Sequence, residues 1–266
     1  MATVAYQGHA GAFSDVAARE LVPGAQTRGY PSFDAAVQAL ASGEVDYAVL
    51  PVENAIVGPV PRNYELLWEH AGLRIRGETK LPIELCLIGV AGATLDGIQE
   101  VRSHPVALAQ VHRLITSRGW RRSTATDTAG AVREIVAVED ETLAAIGPAL
   151  AAEIHGGTIL ARAVQDESEN STRFFLLAPA GSADGGNDIG DRACVGISVE
   201  DRPGSLRDAL SAFADRAIDL RFLIARPDRR VPFRYRFFVE LTNVDDARLA
   251  AALAEIGGEQ RILGRY

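Results

Sequence analysis

Ala178-Pro179-Ala180-Gly181-Ser182-Ala183-Asp184-Gly185-Gly186-Asn187-Asp188-Ile189-Gly190-Asp191 is the stretch that divides this chain. It is small, polar and rich in glycine, the composition of a flexible linker. The residues C-terminal to it have a compact order. A strand is expected over 193–199, a turn at Asp201-Arg202-Pro203-Gly204, a helix over 205–216 and a strand over 218–225. A hairpin then leads to a strand over 233–241, a helix over 245–256 and a last strand over 261–266. That is β-α-β-β-α-β, the ferredoxin-like arrangement.

Before the linker, strands and helices alternate. Val4 to Tyr6 reads as a short strand entering the loop Gly8-His9-Ala10-Gly11-Ala12-Phe13-Ser14, with Ser14 or Asp15 expected to cap a helix to about Leu21. Ser32 caps a helix with Phe33, Val37 and Leu40 on one face, ended by Gly43. Tyr47 to Leu50 is an apolar strand expected to stop at Pro51, and a helix follows over 63–70. Leu85 to Ile88 begins a further strand. Pro105 opens a helix carrying Leu108, Val111, Leu114 and Ile115, closed by Gly119. Asp127 caps a helix through Val132, Ile135 and Val136. A strand over 143–146, a helix from Pro148 to Gly156-Gly157, and strands over 158–161 and 174–177 complete the first part. Alternation of this kind predicts α/β lobes with largely parallel sheets, whose ligands bind beyond the carboxyl ends of the strands.

Composition narrows the function. With 266 residues and 47% hydrophobic content, the chain can bury two real cores. A net charge of -8 argues against nucleic acid or an anionic membrane as partner. No apolar run approaches the roughly 20 residues of a membrane span. The start, Met1-Ala2-Thr3-Val4-Ala5-Tyr6, lacks a basic region followed by an apolar one, so a cytoplasmic location is expected. Cys86 and Cys194 are distant and lack metal-ligand spacing, which fits two small buried hydrophobes in a reducing compartment.

The polar segments carry the chemistry. Asn170-Ser171-Thr172-Arg173-Phe174 sets a hydroxyl beside a guanidinium at the entry to an apolar strand, which suits an anionic substrate and an oxygen leaving group. The same letters also read as a glycosylation acceptor. Pro51-Val52-Glu53-Asn54-Ala55-Ile56-Val57-Gly58 follows a strand and is either a substrate loop or a surface turn. Ser103-His104-Pro105 and Gln110 offer a serine and an amide, while His104 itself reads as a helix cap. Thr126-Asp127-Thr128 reads as an N-cap before anything catalytic. Gly8-x-x-Gly11 lacks the Lys-Ser/Thr of a phosphate loop, so no nucleotide is expected. No nucleophile elbow or metal cluster appears, leaving a cofactor-free reaction or simple binding.

Taken in order, Gly8-x-x-Gly11-x-Phe13-Ser14, Pro51-x-Glu53-Asn54-x-x-x-Gly58, Ser103-His104-Pro105, Gln110, Asp127-Thr128-Ala129 and Asn170-x-Thr172-Arg173-Phe174 resemble prephenate dehydratase. The resemblance covers nearly the whole chain. It implies a two-lobed, periplasmic-binding-protein-like α/β catalytic domain over 1–180, a linker over 181–191 and a ferredoxin-like ACT regulatory domain over 192–266. The implied reaction is the coupled loss of water and carbon dioxide from prephenate to give phenylpyruvate, in phenylalanine biosynthesis, without cofactor or metal. Thr172, Asn54, Gln110 and Glu53 are the implied catalytic residues. Ser14, Ser103, Thr128, Arg173 and Phe174 are the implied substrate-binding residues. Arg202-Pro203-Gly204-Ser205-Leu206 is similar to the turn by which ACT domains receive an amino acid, which marks Pro203, Gly204, Ser205, Leu206 and Arg226 as an effector site for phenylalanine. A homodimer or homotetramer is implied as well.

Three departures stand out. Ala55 replaces a hydroxyl residue common after Glu-Asn, and Val106 replaces a common Gln after Ser-His-Pro. Ile224-Ala225-Arg226-Pro227 stands where the family has Glu-Ser-Arg-Pro, which predicts weakened or altered feedback. Arg62-Asn63-Tyr64-Glu65-Leu66-Leu67 is similar to the matching segment of plant arogenate dehydratases, so arogenate stays open as the substrate. A non-aromatising prephenate decarboxylase and a non-catalytic amino-acid sensor also stay open.

Overall fold

The computed structural model describes residues 1–182, 190–228, 231 and 234–266. The chain forms two compact units, Met1–Pro59 with Thr79–Phe174, and Val60–Glu78 with Phe175–Tyr266. This differs from a cut along the sequence at residue 180, because the segment after Pro59 joins the C-terminal unit. Most of the expected linker, and the Phe233 start of the penultimate strand, lie outside the described residues.

The first unit opens with β1 (Thr3–Gln7), α1 (Phe13–Leu21), β2 (Gln26–Tyr30), α2 (Phe33–Ala41), β3 (Tyr47–Asn54) and β4 (Gly58–Pro59). β1 lies between β2 and β3 and runs parallel to both. Ser32 caps α2 by accepting from the Ala35 N–H at 3.1 Å, as its position predicts. Neither Ser14 nor Asp15 caps α1, which starts from Ala12 with no side-chain cap. Asp15, three residues in, instead reaches back to the Gly11 N–H at 2.8 Å and is fully buried. An acid in the first turn thus pins the loop that enters the helix, and its charge suits the helix N-terminus. β3 does not stop at Pro51. Its pairing with β1 ends at Val49, so proline removes no ladder bond there, and the strand runs on to Asn54.

After α3 (Pro61–Glu69) and β5 (Leu73–Pro82), the first unit resumes with β6 (Cys86–Gly89), β7 (Glu100–Ser103), α4 (Pro105–Gln110), α5 (His112–Arg118), β8 (Arg121–Thr124), α6 (Thr128–Val138), β9 (Leu143–Gly147), α7 (Ala149–His155) and β10 (Thr158–Ala161). The sheet order is β10-β6-β9-β7-β8. β7 is parallel to β8 and β9, whereas β6 runs against β9 and β10. Strand alternation sends Leu87, Ala144 and Ile146 into one core with Leu108, Val111 and Ile115, and Cys86, Ile88 and Ala145 into another with Val132 and Ile135.

The single helix expected from Pro105 is broken at Val111, whose φ of -121° and ψ of 26° leave the helical region. Asp166 explains the break. Its N–H takes the Gln110 carbonyl at 2.6 Å, and its carboxylate takes the Arg113 N–H at 3.1 Å. Both groups are thereby withdrawn from helical bonding, yet the apolar stripe stays in register because Val111 and Ile115 remain buried. β11 (Ser171–Pro179) begins three residues before the apolar run, so Thr172 and Arg173 are strand residues rather than loop residues.

The second unit contains β12 (Ala193–Ser198), α8 (Ser205–Ala214), β13 (Asp219–Pro227), β14 (Tyr235–Thr242), α9 (Asp246–Ile256) and β15 (Glu259–Arg265), the expected β-α-β-β-α-β order. The order β13-β14-β12-β15-β5 is antiparallel until β5, which pairs with β15 in parallel. Val195, Ile197, Val239 and Leu241 face α8 and α9. The alternate face receives α3. There Tyr64 stacks on Phe222 with ring centroids 5.5 Å apart and donates to the buried Glu240 carboxylate at 2.6 Å. Gly196 lies under Trp68, and a Cβ there would come within 2.4 Å of the indole. This is why 60–78 belong with the C-terminal residues.

Candidate active site

The carboxyl end of β3 and the start of β11 lie together in the first unit. Asn54, the last residue of β3, closes a three-residue hairpin to β4, and its Oδ1 accepts from the Ile56 N–H at 3.1 Å and the Val57 N–H at 2.9 Å. Two backbone donors on one oxygen fix which way the amide faces. Its Nδ2 therefore points at β11, donating to Thr172 Oγ1 at 2.9 Å and to Asn170 Oδ1 at 2.8 Å. The Ala55 N–H ties the hairpin down further by donating to the Ser171 carbonyl at 2.9 Å.

Alternation along both strands sorts the neighbouring pair onto the other side. Arg173 Nε donates to Glu53 Oε2 at 2.8 Å. The arginine side chain is 6% exposed and the glutamate 36%, so the pair anchors β11 to β3 from a mostly dry setting. Phe174 is core, 1% exposed. Thr172 is 8% exposed, and its hydroxyl accepts from Asn54 while its own proton has no acceptor among the described residues. This hydroxyl is a poised donor.

Two cavities of the first unit carry the other candidate residues. One, of about 340 Å³, is lined by Ile56, Val57, Val106, Gln110 and Asn170 among others. The second, of about 550 Å³, is lined by Ser14, His104, Asp127 and Thr128. The N-termini of α1, α2 and α6 border it, and the N–H groups of a helix's first turn favour an anionic group. Asp127 caps α6 through the Gly130 N–H at 2.8 Å, and its other oxygen meets His9 Nδ1 at 2.6 Å. A Cβ on Gly130 would come within 2.8 Å of that imidazole, so the glycine makes room for it. The Gly8-to-Ala12 loop is held against α7 as well: His155 Nε2 meets the Ala10 carbonyl at 2.8 Å, and Gly11 lies against the Ala151 backbone. Below the loop, burial and then the nearby Asp15 carboxylate push the Tyr6 hydroxyl far above its ordinary range, so it stays neutral.

Of the residues singled out from sequence, Thr172, Asn54, Glu53 and Arg173 come together at the paired ends of β3 and β11. Gln110 lines the smaller cavity, and Ser14 and Thr128 line the larger one. Ser103 is not brought in. It ends β7 fully buried and donates its hydroxyl to the Ile146 carbonyl at 2.5 Å, fastening β7 to β9. His104 caps α4, accepting from the Val106 N–H at 3.3 Å. Asn170 is 3% exposed and buried in the site, which also removes it as a glycosylation acceptor. His9 and the site role of Asn170 escape a reading of the sequence. A polar side chain immediately before a buried strand is the available signal for Asn170.

In the second unit, Gly204 adopts φ +89° at the start of α8, and Ser205 and Leu206 line cavities beside it with Arg202. Pro203 belongs to the same exposed turn. Arg226 does not join it. Its register neighbour is Arg236, whose guanidinium lies over Trp68, and Arg226 itself pairs with Glu65 of α3 at 2.5 Å.

The prephenate dehydratase family profile matches residues 4–182, and the ACT domain profile matches residues 195–255. The chain belongs to the prephenate dehydratase family. These enzymes are hydro-lyases, and the chain is 38% identical to an arogenate dehydratase/prephenate dehydratase of Arabidopsis thaliana, over 99% of this chain and 72% of that protein. Among solved structures, a prephenate dehydratase of Arthrobacter aurescens in complex with L-Phe superposes with a TM-score of 0.88 at 28% identity, covering 99% of this chain and 89% of that one. GqqA, described as a novel type of quorum quenching acylase, superposes with a TM-score of 0.90 at 33% identity, covering 98% and 96%. The two-lobed prephenate dehydratase architecture and the ACT domain expected from sequence are thus those of the chain.

Proposed function

We propose that Thr172 is the donor that helps the ring hydroxyl of prephenate depart. As the ring carboxylate leaves as carbon dioxide, its C–C bonding pair enters the ring and the C–O bond breaks. The oxygen leaves with that bond's electron pair and takes up a proton to become water. Aromatisation drives the step, so the enzyme has only to hold the substrate and stabilise charge on the departing oxygen. A threonine hydroxyl is too weak an acid to be ionised at neutral pH, so it acts as a positioned hydrogen-bond donor. The observation that carries this reading is the Asn54 N–H on Thr172 Oγ1, which occupies the oxygen and leaves the hydroxyl proton to point elsewhere. Glu53 and Arg173 hold the two strands in place, Gln110 reaches the smaller cavity, and the helix N-termini around Ser14 and Thr128 suit the side-chain carboxylate.

Prephenate and arogenate differ only in a keto or amino group on that side chain, and several relatives are named as arogenate dehydratases. Phenylalanine is the proposed effector at the Pro203-to-Leu206 turn, supported by the L-Phe complex of the Arthrobacter aurescens relative. A cytoplasmic enzyme assembled as a homodimer or homotetramer completes the reading. Among the described residues no helix is long and apolar enough to cross a membrane. The test is incubation with prephenate and, separately, arogenate. Phenylpyruvate or phenylalanine as product supports dehydration, a dihydro product points to the decarboxylase, and no turnover of either contradicts the proposal.

A further inference from the structure

The smaller cavity holds a feature that the roles of Thr172 and Asn54 do not use. Asn54 has a fixed orientation, and it donates to Asn170 Oδ1, so Asn170 is fixed too: a flipped Asn170 would face Nδ2 against Nδ2. Asn170 Nδ2 is therefore turned away from Asn54, buried and without a hydrogen-bond partner, on a residue only 3% exposed. Gln110 Nε2 is likewise buried without a partner. Both residues line the same cavity of about 340 Å³, and Ile56, Val57, Val106 and Ala109 make much of its wall apolar. A buried amide N–H left without an acceptor is costly, so two of them on one cavity call for an acceptor that is supplied from outside.

We propose that Asn170 and Gln110 form a paired-amide subsite for the oxygen that leaves the substrate ring, with the apolar wall packing the ring itself. The inference rests on the dehydratase reading and adds residues to it. Asn54 bridges Asn170 and Thr172, so one fixed amide aims two donors, the Asn170 N–H and the Thr172 O–H. A departing oxygen gains negative charge as its bond to carbon stretches. Neutral donors held in place by other hydrogen bonds stabilise that charge without having to reorganise. Asn170 and Gln110 supply two such donors on the wall of this cavity, whose lining also carries Arg113, Asp166 and Glu167. The apolar wall strengthens each bond by keeping water off the oxygen. Val106, which stands where the family commonly has glutamine, keeps an additional amide out of that wall.

Asn170→Asp tests the subsite directly. It keeps the acceptor that Asn54 needs and replaces the free donor with a carboxylate oxygen. Turnover of prephenate or arogenate by the purified full chain should fall by about 10²-fold or more in kcat, with a much smaller change in KM. Lowering the pH should partly restore the variant relative to wild type, because a protonated aspartate regains a donor, an effect a purely structural role would not give. Gln110→Met, similar in length but lacking the donor, should also lose kcat. The double variant should lose less than the product of the two single losses if both amides serve one oxygen. A folded Asn170→Asp with near wild-type kcat overturns the inference while leaving the dehydratase reading intact. Should that variant fail to fold, Gln110→Met decides, and near wild-type kcat there overturns the inference as well. Wild-type protein that turns over neither substrate overturns both.

Discussion

Asn54 Nδ2 donates to Thr172 Oγ1 at 2.9 Å, across 118 positions of sequence, and this bond sets the direction of the threonine hydroxyl. The direction can be reversed by mutation. In Asn54→Asp the carboxylate accepts the Thr172 proton, so the hydroxyl no longer points at the substrate. The expected result is a loss of kcat of about 10²-fold or more with KM changed far less, read by steady-state kinetics. Asn54→Asp that retains wild-type kcat contradicts the role given to this bond.

The Arg173–Glu53 pair predicts an asymmetry in stability. Glu53→Ala removes the carboxylate to which the buried Arg173 Nε donates, whereas Arg173→Met leaves a carboxylate that is 36% exposed and can be hydrated. Removing the glutamate should lower stability measurably, and by more than removing the arginine does. Chemical denaturation of the two variants checks the order, and the opposite order refutes it.

Gly196→Ala tests the placement of α3 on the second unit. The added Cβ would come within 2.4 Å of the Trp68 ring, which is flanked by Arg236 and Arg261 and has little room to move. A loss of about 2 kcal/mol is expected, as for overpacking of a filled core. An unchanged midpoint in denaturant would mean that Trp68 does not cover this glycine.

Arg226 falls beside the effector turn in the sequence pattern, yet it pairs with Glu65 of α3. Arg226→Met should therefore lower the unfolding midpoint while leaving the phenylalanine concentration for half inhibition nearly unchanged. Leu206→Asp, at the turn itself, should shift that concentration strongly. Activity titrated against phenylalanine for both variants separates the two positions.

Asp46 gives a prediction in pH. The Thr3 backbone N–H, followed by the Thr3 hydroxyl, holds its carboxyl below the ordinary carboxylate range. A pKa lowered by folding contributes stability that is present above the unfolded value and is lost as pH falls through the folded one. The Tm gap between wild type and Asp46→Asn should thus be widest near neutrality and close in acid. A gap that widens in acid has the wrong sign.

Local signals were legible in the sequence. Ser32, Asp127 and Gly119 punctuate helices because caps act locally, and each terminates its element as its residue type requires. The β-α-β-β-α-β unit was legible for the same reason, since its apolar periods are clean. The features that escaped depend on long-range partners. Asp166 breaks the helix at Val111 from more than fifty residues away, and Thr172 and Arg173 join a strand because Asn54 and Glu53 satisfy their polar side chains. Polar residues buried by such partners interrupt the apolar pattern from which a strand is read. Ser103 misled for the opposite reason. Its neighbours suggested a cleft, but its hydroxyl is occupied by the Ile146 carbonyl.

The most direct measurement is the turnover of prephenate by Thr172→Val, which keeps the β-branched shape and removes only the hydroxyl. With folding confirmed by an unchanged Tm, kcat should fall by about 10²–10⁴-fold while substrate still binds. A folded Thr172→Val that makes phenylpyruvate at close to the wild-type rate would contradict it.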